Sequence, residues 1–80
     1  MRTIQIAPYQ KDCRMIGRRI IGTMNERTFV YELPSDERPY TEESMIANFC
    51  EAIALCSKQW QVEELLNNHW GIEGGKFWEE

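Results

Sequence analysis

Cys13, Cys50, Cys56 and His69 are the soft metal ligands of this 80-residue chain, and four is the number a structural zinc site takes. Their spacing argues against that use. There is no C-x-x-C pair, and Cys50 and Cys56 stand six apart, which on a helix turns them to different faces. The expectation is three reduced thiols packed as small apolar groups, with no metal and no cofactor. The second chemistry to consider is a Cys–His nucleophilic pair using His69, the only histidine. A thiol nucleophile needs a base within reach and a third group to orient that base. Glu64, Asn67 and Asn68 are near His69 in sequence, but nothing brings a thiol to it. A histidine favoured by a helix C-terminal dipole is the plainer reading. With no acid–base set elsewhere, the chain reads as non-enzymatic.

Binding remains. The segment "GRRIIGTMNER" (17–27) puts Arg18, Arg19 and Arg27 on a two-stranded ribbon, with Tyr9, Phe29 and Tyr31 close enough to stack on bases. Ribbons enter grooves and arginines meet phosphates, so a small nucleic-acid-binding regulator is the alternative expectation. A sequence pI of about 5.0 opposes it, because an acidic domain is repelled by a phosphate backbone.

The charge is uneven along the chain. Residues 1–31 hold six basic and two acidic residues, a net +4, and residues 32–80 hold three basic and eleven acidic, a net −8. The plainer account is that arginines of the first half pair with glutamates of the helices. The sharper account is a face negative enough to select a basic partner. Glu42, Glu43, Glu63 and Glu64 would steer that partner, and Trp60, Trp70, Phe77 and Trp78 would anchor it. The leading expectation is thus a protein-binding module, an inhibitor or accessory protein acting on a basic, nucleic-acid-handling target. Phages and mobile elements encode such proteins as a class. Nucleic acid is the less expected partner, a membrane is not expected, and a homodimer is the other way to cover the aromatics.

These residues need elements to hold them. "TIQIA" (3–7) alternates as a strand and stops at Pro8, and "RTFVYEL" (27–33) alternates better, with Phe29, Tyr31 and Leu33 on one side. Residues 13–23 fit either a helix or a strand; they are taken as a hairpin arm turning at 24–27, where Asn25 accepts a left-handed backbone. "LPSDERPY" (33–40) is a proline-bracketed linker. After it the period becomes helical. Thr41 is a cap, Glu42 and Glu43 fill the first turn, and Met45, Phe49, Ala52, Ile53, Cys56 and Trp60 form a stripe. The stripe loses phase near Trp60 and restarts with Val62, Leu65, Leu66 and His69, and Gly71 stops it.

Two helices are expected, over 41–58 and 61–70. The fold class is α+β: a small antiparallel sheet of about three strands in the N-terminal half, packed on two C-terminal helices. All 80 residues read as one domain, with a basic β-rich part (1–33), a linker (34–40), an acidic helical part (41–70) and an aromatic tail (71–80). So short a chain buries little more than it needs, so the tail aromatics either complete the core or meet a partner. Met1 reads as the start of a complete chain. The absence of an apolar secretory segment or membrane-length apolar run gives a cytoplasmic expectation.

Overall fold

Two tight turns lay down the sheet. The computed structural model describes residues 10–80, with side chains described from Cys13 onward, and the expected strand over 3–7 lies outside them. β1 (Gln10–Ile16), β2 (Arg19–Met24) and β3 (Arg27–Glu32) run as an antiparallel meander. Gly17 has φ 60° in the two-residue loop that joins Ile16 to Arg19, a backbone that glycine adopts without a Cβ clash. The segment 13–23 is therefore parts of two strands and not one arm. In the second loop Asn25 and Glu26 have φ of 54° and 66°, which matches the twist of a two-residue hairpin. Asn25 was expected there; Glu26 accepts the left-handed region without the usual residue type.

The helices follow as expected, the first shorter at both ends and the second starting two residues earlier. α1 (Glu42–Leu55) begins where the Thr41 side chain accepts from the Ser44 N–H at 3.2 Å, with Glu42 and Glu43 in its first turn. α2 (Gln59–Trp70) starts after Ser57–Lys58, where Gln61 Oε1 accepts from the Lys58 N–H at 3.2 Å. Gly71 ends it at φ 66° in a Schellman arrangement: Gly71 N–H reaches the Asn68 carbonyl at 3.3 Å and Ile72 N–H the Asn67 carbonyl at 2.9 Å. Gly74, at φ 96°, then helps to turn the chain, and β4 (Lys76–Glu79) lies antiparallel along β3. The sheet order is β1-β2-β3-β4, giving four strands among the described residues where the sequence suggested about three.

The helices cover one face of this sheet. Ile20, Phe29, Tyr31 and Leu33 point at them, Met45, Phe49 and Ala52 answer from α1, Val62, Leu66 and Trp70 from α2, and Phe77 from β4. Phe77 sits among aromatics, with ring centroids 5.9 Å from Phe29 and 6.1 Å from Phe49. Gly22 lets α1 come close, since a Cβ there would stand 2.8 Å from Phe49 Cε2.

One polar cross-link ties β3, α2 and the turn before β4. The Tyr31 hydroxyl on β3 donates to Asn67 Oδ1 on α2, and Asn67 Nδ2 donates to the Gly75 carbonyl at 3.3 Å. A second link runs beside it, the Phe77 N–H donating to Glu63 Oε2 at 3.2 Å. A Cβ on Gly75 would overlap the Tyr31 hydroxyl and lie 2.6 Å from Asn67 Oδ1, so only glycine fits. Gly75→Ala is therefore expected to lower the unfolding free energy by about 2–4 kcal/mol, combining overpacking with a broken buried hydrogen bond. Denaturant titration reads this. Gly71→Ala, where a Cβ would meet open space but φ is positive, is expected to cost only about 1 kcal/mol.

Candidate protein-docking face

The break between the helices resets the apolar stripe, and this decides what reaches the surface. α1 stops at Leu55, and α2 begins four residues later at Gln59 in a new phase. Trp60 then belongs to the outer side of α2. It is 59% exposed, Leu55 at the end of α1 is 55% exposed and Leu65 is 42% exposed. The buried stripe of α2 runs Val62, Leu66, Trp70, so Leu65 faces out where the sequence reading had placed it inward.

Trp60, Glu64 and Asn68 follow one another at four-residue steps and share a line on α2. Leu55 and Leu65 line the depression next to that line together with Trp60 and Glu64. A shallow groove of about 180 Å³ continues from these two leucines to Glu51 and His69. On its other side, Trp60 borders a wider depression with Glu63, Glu64 and Glu73. The indole thus stands between an apolar strip and a group of carboxylates. Glu51, Glu64 and Glu73 meet no cation within ion-pair distance among the described residues. Lys58, the nearest cation in sequence to Glu51 and Glu64, lines a separate depression with Arg27 and Glu79.

The other expected anchors and acids lie elsewhere. Trp70 and Phe77 are core residues, 5% and 4% exposed, so neither offers a surface to a partner. Trp70 packs edge-on to Tyr31 with centroids 5.2 Å apart, and its indole N–H is buried with no hydrogen-bond acceptor among the described residues. Trp78 is half-buried and pairs with Val30 on the sheet face turned away from the helices, with the Arg19 guanidinium 5.6 Å from its ring centroid. Glu42 and Glu43 sit at the start of α1, where Glu42 is 3.9 Å from Arg38, and neither lines the depressions beside Trp60. Glu63 is shared between that surface and the Phe77 backbone. Leu55 is the residue sequence reasoning missed. Its signal was there: it is a leucine lying off the Met45–Phe49–Ala52–Cys56 stripe.

The arginines of the ribbon meet carboxylates of strands, not of helices. Arg18 and Arg19 approach Glu32 at 3.2 and 3.7 Å. Arg27 holds Glu79 with both arms, at 2.7 and 2.6 Å. This hydrogen bonding, with the arginine charge, keeps the Glu79 carboxyl below the usual range and raises Arg27. Both groups are open to water, so the pair orients the β3–β4 edge more than it stabilises it. Arg38, from the linker, donates to the Gly17 carbonyl at 2.9 Å, and Arg18 to the Pro34 carbonyl at 3.2 Å, which pins the linker to the first turn.

Among the described residues no group of three or more His, Cys, Asp or Glu side chains is placed to hold a metal ion. His69 stacks on Tyr40, with centroids 5.9 Å apart. No helix is long and apolar enough among those residues to cross a membrane. The fold and this face define a small α+β domain with an exposed tryptophan ridge beside carboxylates that meet no cation among the described residues. Comparison with known protein families, curated proteins and solved structures finds no match.

Tyr31 supplies a pH signature for the packing that carries this face. Burial first, and then the nearby Glu63 carboxylate, push its hydroxyl from 10.0 up to about 12. The unfolded chain loses that proton near pH 10, while the folded chain keeps it until about 12. The stability this group contributes is complete below pH 10 and is lost as pH rises through about 12. Ultraviolet titration is expected to show one tyrosine ionising in that upper range, with denaturant stability falling over the same window. Tyr31→Phe should flatten the fall and lower stability at neutral pH by about 1–3 kcal/mol, because Asn67 Oδ1 loses its donor.

Proposed function

We propose that this chain is a non-enzymatic protein-binding module, acting as an inhibitor or accessory protein, that docks the Trp60 face onto a basic segment of a partner protein. The observation that carries this reading is the 59% exposed Trp60 between the apolar Leu55–Leu65 strip and Glu63, Glu64 and Glu73. A large aromatic flanked by apolar surface and rimmed by charge is the usual composition of an interface anchor. The unpaired carboxylates favour a partner that brings lysine or arginine around an apolar cleft, and they would speed its approach at low salt. The sequence expectation of four tryptophan and phenylalanine anchors narrows to Trp60, and that of four steering acids to Glu63 and Glu64, joined by Glu73.

The alternative, a nucleic-acid regulator acting through Arg18, Arg19 and Arg27, has weaker support. All three guanidinium groups already lie against Glu32 or Glu79.

The test is capture of partners from the native host by tagged wild-type protein, compared with two variants. Trp60→Ala and Glu64→Lys plus Glu73→Lys alter exposed side chains and are expected to change folding stability by no more than about 0.5 kcal/mol. Trp60→Ala should weaken the recovered complex about 30-fold or more, a loss of about 2 kcal/mol. The double charge reversal should slow association and remove its salt dependence. A partner bound equally by wild type and both variants would overturn the reading. A concentration-dependent mass abolished by Trp60→Ala would replace the foreign partner by a second copy. Retention on plain duplex that Arg18→Ala plus Arg19→Ala abolishes would replace it by nucleic acid.

A further inference from the structure

We infer that Cys13 and Cys50 are a built-in disulfide site, which joins β1 to α1 when the chain meets a thiol oxidant. Their Sγ atoms are 3.3 Å apart across 37 positions of sequence. A disulfide needs about 2.05 Å, so side-chain rotation closes most of the gap. The approach is a product of the fold. Cys13 stands directly across from Gly22 in the β1–β2 register, and the missing side chain at Gly22 leaves room for Phe49, the neighbour of Cys50 on α1. A Cβ at Gly22 would be 3.5 Å from Cys13 Sγ as well as 2.8 Å from Phe49 Cε2. Glycine therefore holds open the space in which the two thiols converge.

The third thiol does not compete. Cys56 caps the C-terminus of α1, just past Leu55, and stands about 9 Å beyond Cys50 along the helix axis, more than the separation a disulfide spans. It lines the depression with Arg27 and Lys58 instead.

With a small-molecule disulfide such as oxidised glutathione, the step balances as two exchanges. Cys13 is partly exposed and Cys50 only 4% exposed, so the Cys13 thiolate attacks first. Its sulfur bonds to one glutathione sulfur, the glutathione disulfide breaks, and one glutathione leaves as thiolate and takes up the proton Cys13 released. The Cys50 thiolate then attacks Cys13 Sγ, the mixed disulfide breaks, and the second glutathione leaves and takes up the Cys50 proton. Two protein thiols are oxidised and one glutathione disulfide is reduced to two thiols. The bond would close a long loop and restrict the unfolded chain accordingly.

The full chain is treated with oxidised glutathione and followed by thiol titration, intact mass and thermal melting. Titratable thiols should fall from three to one, and the mass should drop by about 2 Da. The melting temperature should rise on the order of 10 °C. Cleavage at lysine, arginine and glutamate, which separates Cys50 from Cys56 at Glu51, should recover a Cys13–Cys50 cross-linked peptide. Cys56→Ser should lose its two remaining thiols in the same way, and Cys13→Ser or Cys50→Ser should show no mass drop. Because Cys56→Ser keeps both members of the pair, the test survives if either of the other variants fails to fold. Three thiols left intact, glutathione adducts that never resolve, or a cross-link containing Cys56 would each overturn the assignment.

Discussion

Tyr31, Asn67 and Gly75 meet at a point where no side chain can be added, and the arrangement of α2 and β4 depends on that meeting. Hydrophobic burial alone is non-directional: Val62, Leu66 and Trp70 would accept several rotations of α2 on the sheet. A buried hydroxyl that must reach one amide oxygen, whose amide nitrogen must reach one carbonyl, admits few. The cross-link fixes the turn of α2 about its own axis. With that turn fixed, Val62 and Leu66 face in, and Trp60, Glu64 and Leu65 face out. The surface proposed for docking is the reverse side of the same constraint.

Glu63 shows how closely the two sides are coupled. It accepts the Phe77 N–H, raises the Tyr31 hydroxyl through its charge, and lines the depression beside Trp60. A charged partner seated near Trp60 would act on the same carboxylate that holds β4. The sheet's opposite face is a separate environment, with Trp78 under Arg19 and with Glu32 shared between Arg18 and Arg19.

Local chemistry wrote the helices and one turn plainly. Thr41 followed by two glutamates, the Met45–Phe49–Ala52 spacing, Gly71 at a helix end and Asn25 between strands each carry their signal within a few residues. The α+β class followed from the change of period at the linker. What was illegible depends on distant partners. β4 is four residues long, too short to display alternation, and its pairing with β3 spans about fifty positions. Gly17 falls inside the segment taken as one hairpin arm, and only the pairing of Ile16 with Arg19 shows it as a loop. Of the docking face, Trp60 and Glu64 were legible as an aromatic and an acid of the right kind. Leu65 was misplaced because neighbouring leucines at 65 and 66 leave the phase of a helix undecided, and Asn67, a polar residue, is what decides it.

β4 also shields its neighbour. The run Phe29-Val30-Tyr31 is rich in strand-forming residues, and without β4 the backbone of β3 would present a bare row of donors and acceptors to the solvent. Such a segment, low in charge at its centre, can add strands from other copies of the chain. The cover given by Lys76–Glu79 ends in carboxylates at Glu79 and Glu80, with Arg27 clasping Glu79 and the Glu80 N–H reaching the Thr28 carbonyl at 2.8 Å. The briefest of the described strands is thus the cover of β3: were it to lift, the molecule would gain an adhesive margin open to strands of other copies.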